Sequence, residues 1–234
     1  MPDTLTSPTG AVHGVSWNII CDFDGTITPF DVTDAVLAKF AHPSWEAIEE
    51  DWVAGSISAR ECMDRQVKLV KASKDELDSF LDTIPIMEGF SDFVAFCLSR
   101  NLKIVVLSDG MDYSIKRILT KNGFGFIPVI ANRVLFQGRS GYRLEFPYGM
   151  EGCGSGVCKC AAARALGGDT LLIGDGRSDC CLAGNVTFVM AREGKELLAR
   201  CQTNGYSHMV WRDFFDVRAS LETLLAALQA ELAI

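Results

Sequence analysis

"IICDFDGTIT" (residues 19–28) runs an apolar stretch straight into two carboxylates separated by one Phe. A strand covered on both faces reads as an unbroken apolar run, so Asp22 and Asp24 stand at the end of such a strand. Burying one unpaired carboxylate is costly, and two close together repel. A positive charge between them resolves the conflict. Residues two apart on a strand point the same way, so both side chains address one spot. Gly25 allows a tight turn there and the close approach of an anion.

The pattern repeats along the chain. "KIVVL" (103–107), "IPVIA" (127–131), "TLLI" (170–173) and "TFVM" (187–190) are further short apolar runs, with helical stretches at 111–122, 157–166 and 192–202. Strand, helix, strand, helix predicts an α/β fold around a parallel sheet. The connection between the first two strands breaks the rhythm. It reads as helices near 31–41, 44–54, 58–72, 74–83 and 88–100, of which only the last is needed as a crossover. The expected division is a leader at 1–15, a core at 16–30 and 85–234, and a helical insert at 31–84. "NRVLFQGRSGYRLEFPY" (132–148) alternates about a Gly-rich turn and predicts a small β-hairpin flap.

Three strands end in polar clusters: Asp22 to Thr26, then Ser108-Asp109-Gly110, then Gly174 to Asp179. Ligands of open α/β sheets bind outside the carboxyl ends of the strands, so these clusters converge. Four carboxylates (Asp22, Asp24, Asp175, Asp179) require a cation, and an oxygen-only donor set favours Mg²⁺. Ser108, followed by backbone N–H groups at a helix start, predicts an anion site. Lys159 also falls near a helix start, where a cation opposes the macrodipole, and so reads as serving a nearby anion. Metal, carboxylate nucleophile, hydroxyl and lysine together describe phosphoryl transfer through an aspartyl-phosphate.

Composition narrows the partners. The 234 residues are 48% hydrophobic and 22% charged, with a net charge of −8. The acidic balance argues against a nucleic-acid surface. No apolar run approaches the roughly 18 residues of a membrane span, and the first residues lack a signal-peptide pattern. A cytoplasmic location follows as the expectation. The nine cysteines are odd in number and include the adjacent pair Cys180-Cys181, which is no disulfide framework. Cys153, Cys158 and Cys160 lack a C-x-x-C pair and read as packing residues rather than a metal site. An oligomeric state is not legible; a homodimer is compatible.

These motifs resemble the haloacid dehalogenase superfamily. "DFDGT" matches its D-x-D-G-T motif, "VVLS" the second, Lys159 the third and "GDGRSD" the G-D-x-x-x-D fourth, in order over 16–185. The resemblance implies a Rossmann-like core. It also implies Asp22 as nucleophile, Asp24 as general acid/base, and Ser108 and Lys159 as phosphoryl holders, with Asp109, Gly110 and Asp31 as further substrate contacts. Mg²⁺ would be held by Asp22, the Asp24 carbonyl, Asp175 and Asp179. The insert and hairpin resemble those of the phosphoserine phosphatase branch. Within it the similarity is nearest to the methionine-salvage phosphatases of a methylthiopentenyl phosphate, on "CDFDGTIT", "GCGSGVCK" and "IGDGRSDCCLA".

Other readings are weighed against this one. The phosphoserine branch places an Arg for the substrate carboxylate where this chain has Gln66, beside Arg65, and its motif-two loop is usually Ser-Gly-Gly. Phosphoserine, and phosphocholine or phosphoethanolamine, therefore stand as alternative substrates. Asp31 equally suits an N-cap for the helix after it. A phospho-receiver module is about half this length and lacks a group equivalent to Asp24. A non-catalytic phosphate-binding relative would not need every catalytic position filled. No G-x-G-x-x-G follows the first strand, which removes a dinucleotide enzyme.

Overall fold

The strand that precedes the paired carboxylates, β1 (Trp17–Cys21), is buried at all five positions. In the computed structural model, which describes residues 17–232, it lies at the centre of a seven-stranded sheet. β1 pairs in parallel with β2 (Lys103–Met111) on one side and β5 (Asp169–Gly174) on the other. β3 (Val129–Gln137) and β4 (Gly141–Glu145) extend the sheet beyond β2, and β6 (Phe188–Arg192) and β7 (His208–Trp211) extend it beyond β5. Only the β3–β4 pair is antiparallel.

Ten α-helices accompany the strands among the described residues. α1 (Val32–Phe40), α2 (Trp45–Val53), α3 (Ala59–Val67), α4 (Lys74–Leu81) and α5 (Phe90–Ser99) all fall between β1 and β2. α6 (Asp112–Lys121), α7 (Lys159–Leu166), α8 (Cys180–Ala183), α9 (Glu196–Asn204) and α10 (Phe214–Leu232) follow. The period of two along β1 sorts its side chains onto opposite faces. Trp17, Ile19 and Cys21 join one hydrophobic cluster, which also takes Phe90, Phe93 and Phe214. Ile20 joins the other, with Val157 before α7, Leu182 of α8 and Leu197 of α9.

Three of the five helices between β1 and β2 start where short polar side chains satisfy free N–H groups. Asp31 accepts from Asp34 N, Ser58 from Glu61 N, and Ser73 with Glu76 completes a reciprocal capping box. Val36, Leu37, Val67, Leu77 and Leu81 belong to the first hydrophobic cluster, and so do Tyr142 and Leu144 of β4. The Tyr142 hydroxyl donates to the Ala72 carbonyl at 2.8 Å. The hairpin thus carries the helices on its inner face.

The structure departs from the sequence reading in several places. "IPVIA" and the hairpin are not separate elements. β3 is one strand that pairs with β2 in its first part and with β4 in its second. β2 runs past "KIVVL" through an irregular step between Leu107 and Met111, so Ser108 sits in that bulge and α6 begins only at Asp112. β7 and α10 were not anticipated. β7 is an edge strand of four residues that run from half-buried through exposed Val210 to buried Trp211, too short and mixed to register as an apolar run. The leader at 1–15 lies outside the described residues. All nine cysteines are free, and no described helix is long and apolar enough to cross a membrane.

Candidate active site

The site is assembled by register. Cys21 pairs with Val106 of β2 and Ile173 of β5, so the residues that follow emerge side by side at the carboxyl edge. The Asp22 N–H still donates to the Ile173 carbonyl at 2.9 Å before the chain turns. The turn occupies Phe23–Ile27, and Gly25 takes φ +71° within it. A Cβ at Gly25 would lie 2.4 Å from Asp175 Oδ2, so the glycine both permits the turn and admits the neighbouring carboxylate. The Arg192 guanidinium, at the end of β6, donates to the Gly25 carbonyl at 2.6 Å and to the Pro29 carbonyl at 3.2 Å. It holds the loop against the sheet.

Lys159, the first residue of α7, is only 2% exposed and lies between two carboxylates. Its Nζ is 2.9 Å from Asp22 Oδ1 and 2.7 Å from Asp179 Oδ1. Burial works against its charge, but Asp179 and Asp22 outweigh that and hold the ammonium above its ordinary range. It is a fixed cation at any working pH.

One lysine does not balance the cluster. Asp22, Asp175 and Asp179 are all buried, with one carboxylate oxygen from each lying within 4.8 Å of the others. Desolvation, then Asp22, pushes Asp175 up to about 6. Desolvation and Asp22 likewise raise Asp179, even with Lys159 beside it. Asp179 Oδ2 is buried with no hydrogen-bond partner among the described residues. Three buried carboxylates, one of them with an orphaned oxygen, fit a small divalent cation, which would return the carboxylates to their ionised state. The Asp24 carboxylate is not part of this cluster.

Asp24 is held differently. Its Oδ1 accepts from Val32 N at 2.8 Å, and its Oδ2 receives the Ser108 hydroxyl at 3.4 Å. Burial, and next Asp31, raise it well above the ordinary carboxylate range, which favours its protonated form. Ser108 Oγ in turn accepts from Gly110 N at 2.9 Å. A Cβ at Gly110 would come within 2.5 Å of Asp24 Oδ2, which leaves no room for any larger residue there.

Asp109 turns its side chain away from this group. Its Oδ1 accepts from Val157 N at 2.7 Å and from Asn132 Nδ2 at 3.3 Å. It therefore ties β2 to the segment that leads into Lys159. Arg60, from the first turn of α3, grips the same segment, its guanidinium donating to the Met150, Cys153 and Ser155 carbonyls at 2.9–3.2 Å. Asp31 caps α1 and lines the cavity mouth, so the two readings of that residue are compatible. Sequence reasoning missed Arg60, Asn132 and Arg192.

Asp22, Asp24, Ser108, Asp109, Gly110 and Asp175 all line one cavity of about 720 Å³, a size suited to a small metabolite. Its other wall comes from α1, α2 and α3.

A parallel sheet whose first strand ends in this carboxylate pair defines a hydrolase of the haloacid dehalogenase-like type. That family's model matches residues 19–184, and the chain belongs to the family. Within it the chain falls among the phosphatases. It is 35% identical over 217 residues to a 2-hydroxy-3-keto-5-methylthiopentenyl-1-phosphate phosphatase of Geobacillus kaustophilus, covering 88% of this chain and 96% of the relative. It is 30% identical over 207 residues to a protein of the same name from Brevibacillus brevis, covering 85% and 92%. A solved structure titled as a phospho-aspartyl intermediate analogue of phosphoserine phosphatase shares the fold. Its TM-score is 0.66 at 18% identity, and the match covers 90% of this chain and 99% of that one.

Proposed function

We propose that this phosphatase hydrolyses a small phosphomonoester through a phosphorylated Asp22, with 2-hydroxy-3-keto-5-methylthiopentenyl-1-phosphate as its substrate. The observation that carries the reaction is the contrast between two carboxylates only two residues apart. Asp22 has the Lys159 ammonium 2.9 Å away, whereas Asp24 has no such partner and is pushed by desolvation toward its protonated form. Environments that push paired acids apart assign their roles.

Asp22 Oδ1 is engaged by Lys159 and by Phe23 N, which leaves Oδ2 to attack phosphorus. As the bond from phosphorus to the ester oxygen breaks, Asp24 gives its proton to the leaving alkoxide. The now ionised Asp24 then takes a proton from water, the water oxygen bonds to phosphorus, and the bond to Asp22 breaks. Phosphate leaves and Asp24 is again protonated. Ser108 orients Asp24 and offers its hydroxyl to the phosphoryl group, while Lys159 opposes charge on the phosphoryl oxygens. Mg²⁺, held by Asp22, Asp175 and Asp179 with the Asp24 carbonyl, supplies further positive charge there when bound.

Residues 31–84 serve as a cap in this reading and close the cavity over a metabolite rather than a macromolecule. Neither nucleic acid nor membrane is a partner, and a cytoplasmic setting suits nine free thiols. The substrate assignment rests on the names of the relatives. Phosphoserine is the second reading, favoured by the shared fold alone.

The test is phosphate release from a panel containing the methylthiopentenyl ester, phosphoserine, phosphocholine and phosphoethanolamine, with Mg²⁺ or EDTA. Metal-dependent turnover led by the first ester supports the reading. Turnover led by another ester moves the assignment there, and no turnover of any ester overturns it.

A further inference from the structure

We propose that Glu49, fixed in the helical wall of the cavity by Gln66 and Cys62, selects against phosphomonoesters whose leaving group carries a carboxylate and favours uncharged, hydroxyl-bearing ones. This deepens the phosphatase reading and rests on it. Gln66 is 3% exposed, and its Nε2 donates to Glu49 Oε2 at 2.8 Å and to the Trp45 carbonyl at 3.3 Å. Cys62 Sγ reaches the same Oε2 at 3.6 Å. Glu49 Oε1 accepts no hydrogen bond from a described residue. A buried amide and a thiol thus hold one oxygen of a cavity-lining carboxylate and leave the other for a ligand.

The rest of that wall is of the same sign. Asp31 and Asp34 line the cavity beside Glu49, and Asp34 is raised by desolvation and then by Glu49. The lining has two cations, each already beside a carboxylate. Arg177 Nε is 3.3 Å from Glu196 Oε1 with its guanidinium 5.3 Å from the Trp52 ring, and Lys195 Nζ is 3.9 Å from Asp175 Oδ2. A carboxylate on the leaving group would lose water beside Glu49 and meet no lining cation that is not already beside a carboxylate, which is selection by repulsion. A hydroxyl can donate to Glu49 Oε1. Phe30, Trp52, Val53 and Met63 offer apolar lining for an uncharged tail. The relatives' named substrate has both features, a 2-hydroxyl and a methylthio end.

The test uses glycerol 3-phosphate and 3-phosphoglycerate, which differ by a hydroxymethyl against a carboxylate at one carbon. Each is assayed for turnover with Mg²⁺ and as an inhibitor of p-nitrophenyl phosphate hydrolysis. Wild type should prefer the uncharged ester by on the order of 100-fold in kcat/KM or Ki. Glu49→Gln, which keeps the contacts to Gln66 and Cys62, should narrow that preference to within about tenfold. Glu46→Gln, an equal charge change at an exposed position of α2 outside the lining, should leave it unchanged. Matching thermal melts check the fold of both variants. The proposal is overturned if wild type treats the pair alike, or if the two variants narrow the preference equally. If wild type with Mg²⁺ hydrolyses no ester, p-nitrophenyl phosphate included, the phosphatase reading itself fails and the selectivity falls with it.

Discussion

The two walls of the cavity handle negative charge in opposite ways. On the sheet side, Asp22 and Asp179 are buried against Lys159, with Asp175 close by and one oxygen orphaned. On the helical side, Asp31, Asp34 and Glu49 lie together with no cation among them. Ion pairs that are buried and hydrogen-bonded stay fixed when a substrate arrives, which is what a reacting centre requires. Unpaired acids on a more open wall do no chemistry of their own, but they set which leaving group can approach. The same residue types serve reaction on one wall and choice on the other, and burial decides between them.

The largest expected effect would break the sheet side alone. Asp22→Asn keeps the shape and removes the nucleophile, so kcat should fall by at least about 10⁴-fold with the melting temperature nearly unchanged. A variant retaining a tenth of the activity would place the reaction elsewhere. Lys159→Met tests the cation instead. It leaves Asp22 and Asp179 buried and uncompensated, which should cost about 3–5 kcal/mol in urea denaturation. Adding Asp22→Asn to Lys159→Met should recover part of that loss, because the two residues are in contact. Strict additivity would mean that the pair is not coupled.

A smaller effect comes from pH. Asp175 is raised to about 6 in the fold from an unfolded value of 3.8. The protonated form is therefore favoured by folding, and its contribution is complete below about pH 4 and lost as pH rises through about 6. In EDTA, Asp175→Asn should make the fall in stability across that window shallower by on the order of 2 kcal/mol, the remaining fall coming from Asp24 and Asp179, which burial also raises. Saturating Mg²⁺ binds the ionised carboxylates and should reverse the trend. A pH dependence unaltered by Mg²⁺ would remove Asp175 from the metal cluster.

The sheet wall was legible in the sequence, and of the helical wall only Asp31 was. Apolar runs of "WNIIC", "KIVVL" and "TLLI" locate strands, and the polar residues just after them must share an edge in a parallel sheet. That argument needs only local pattern plus one topological rule. The contacts that set the helical wall join residues far apart in the chain. Gln66 reaches Glu49, and Arg60 reaches three carbonyls across some ninety positions. Every residue carries a carbonyl, so an arginine bound to carbonyls leaves no trace in the types of its partners. The continuity of β3 into the hairpin was hidden for a similar reason. The switch from β2 to β4 as partner at Asn132–Arg133 changes direction of pairing, not composition.

Arg60 supplies the smallest effect and joins the two walls. It belongs to α3 on the helical side, yet its guanidinium and its own N–H hold the 150–155 segment through four carbonyls, those of Met150, Cys153, Gly154 and Ser155. Asp109 pins Val157 from the sheet side, and α7 starts at Lys159 two residues later. The approach to Lys159 is therefore clamped from both walls. Arg60→Ala keeps the backbone bond to Gly154 but frees the Met150, Cys153 and Ser155 carbonyls to water, and should cost about 1–2 kcal/mol of stability and about tenfold in kcat/KM, since Lys159 loses part of its support. Arg60→Lys should recover little of either, because one ammonium cannot reproduce the planar fork. If stability drops while kcat/KM holds, the clamp supports the fold but not the position of Lys159. The two walls would then be joined only by the cavity between them.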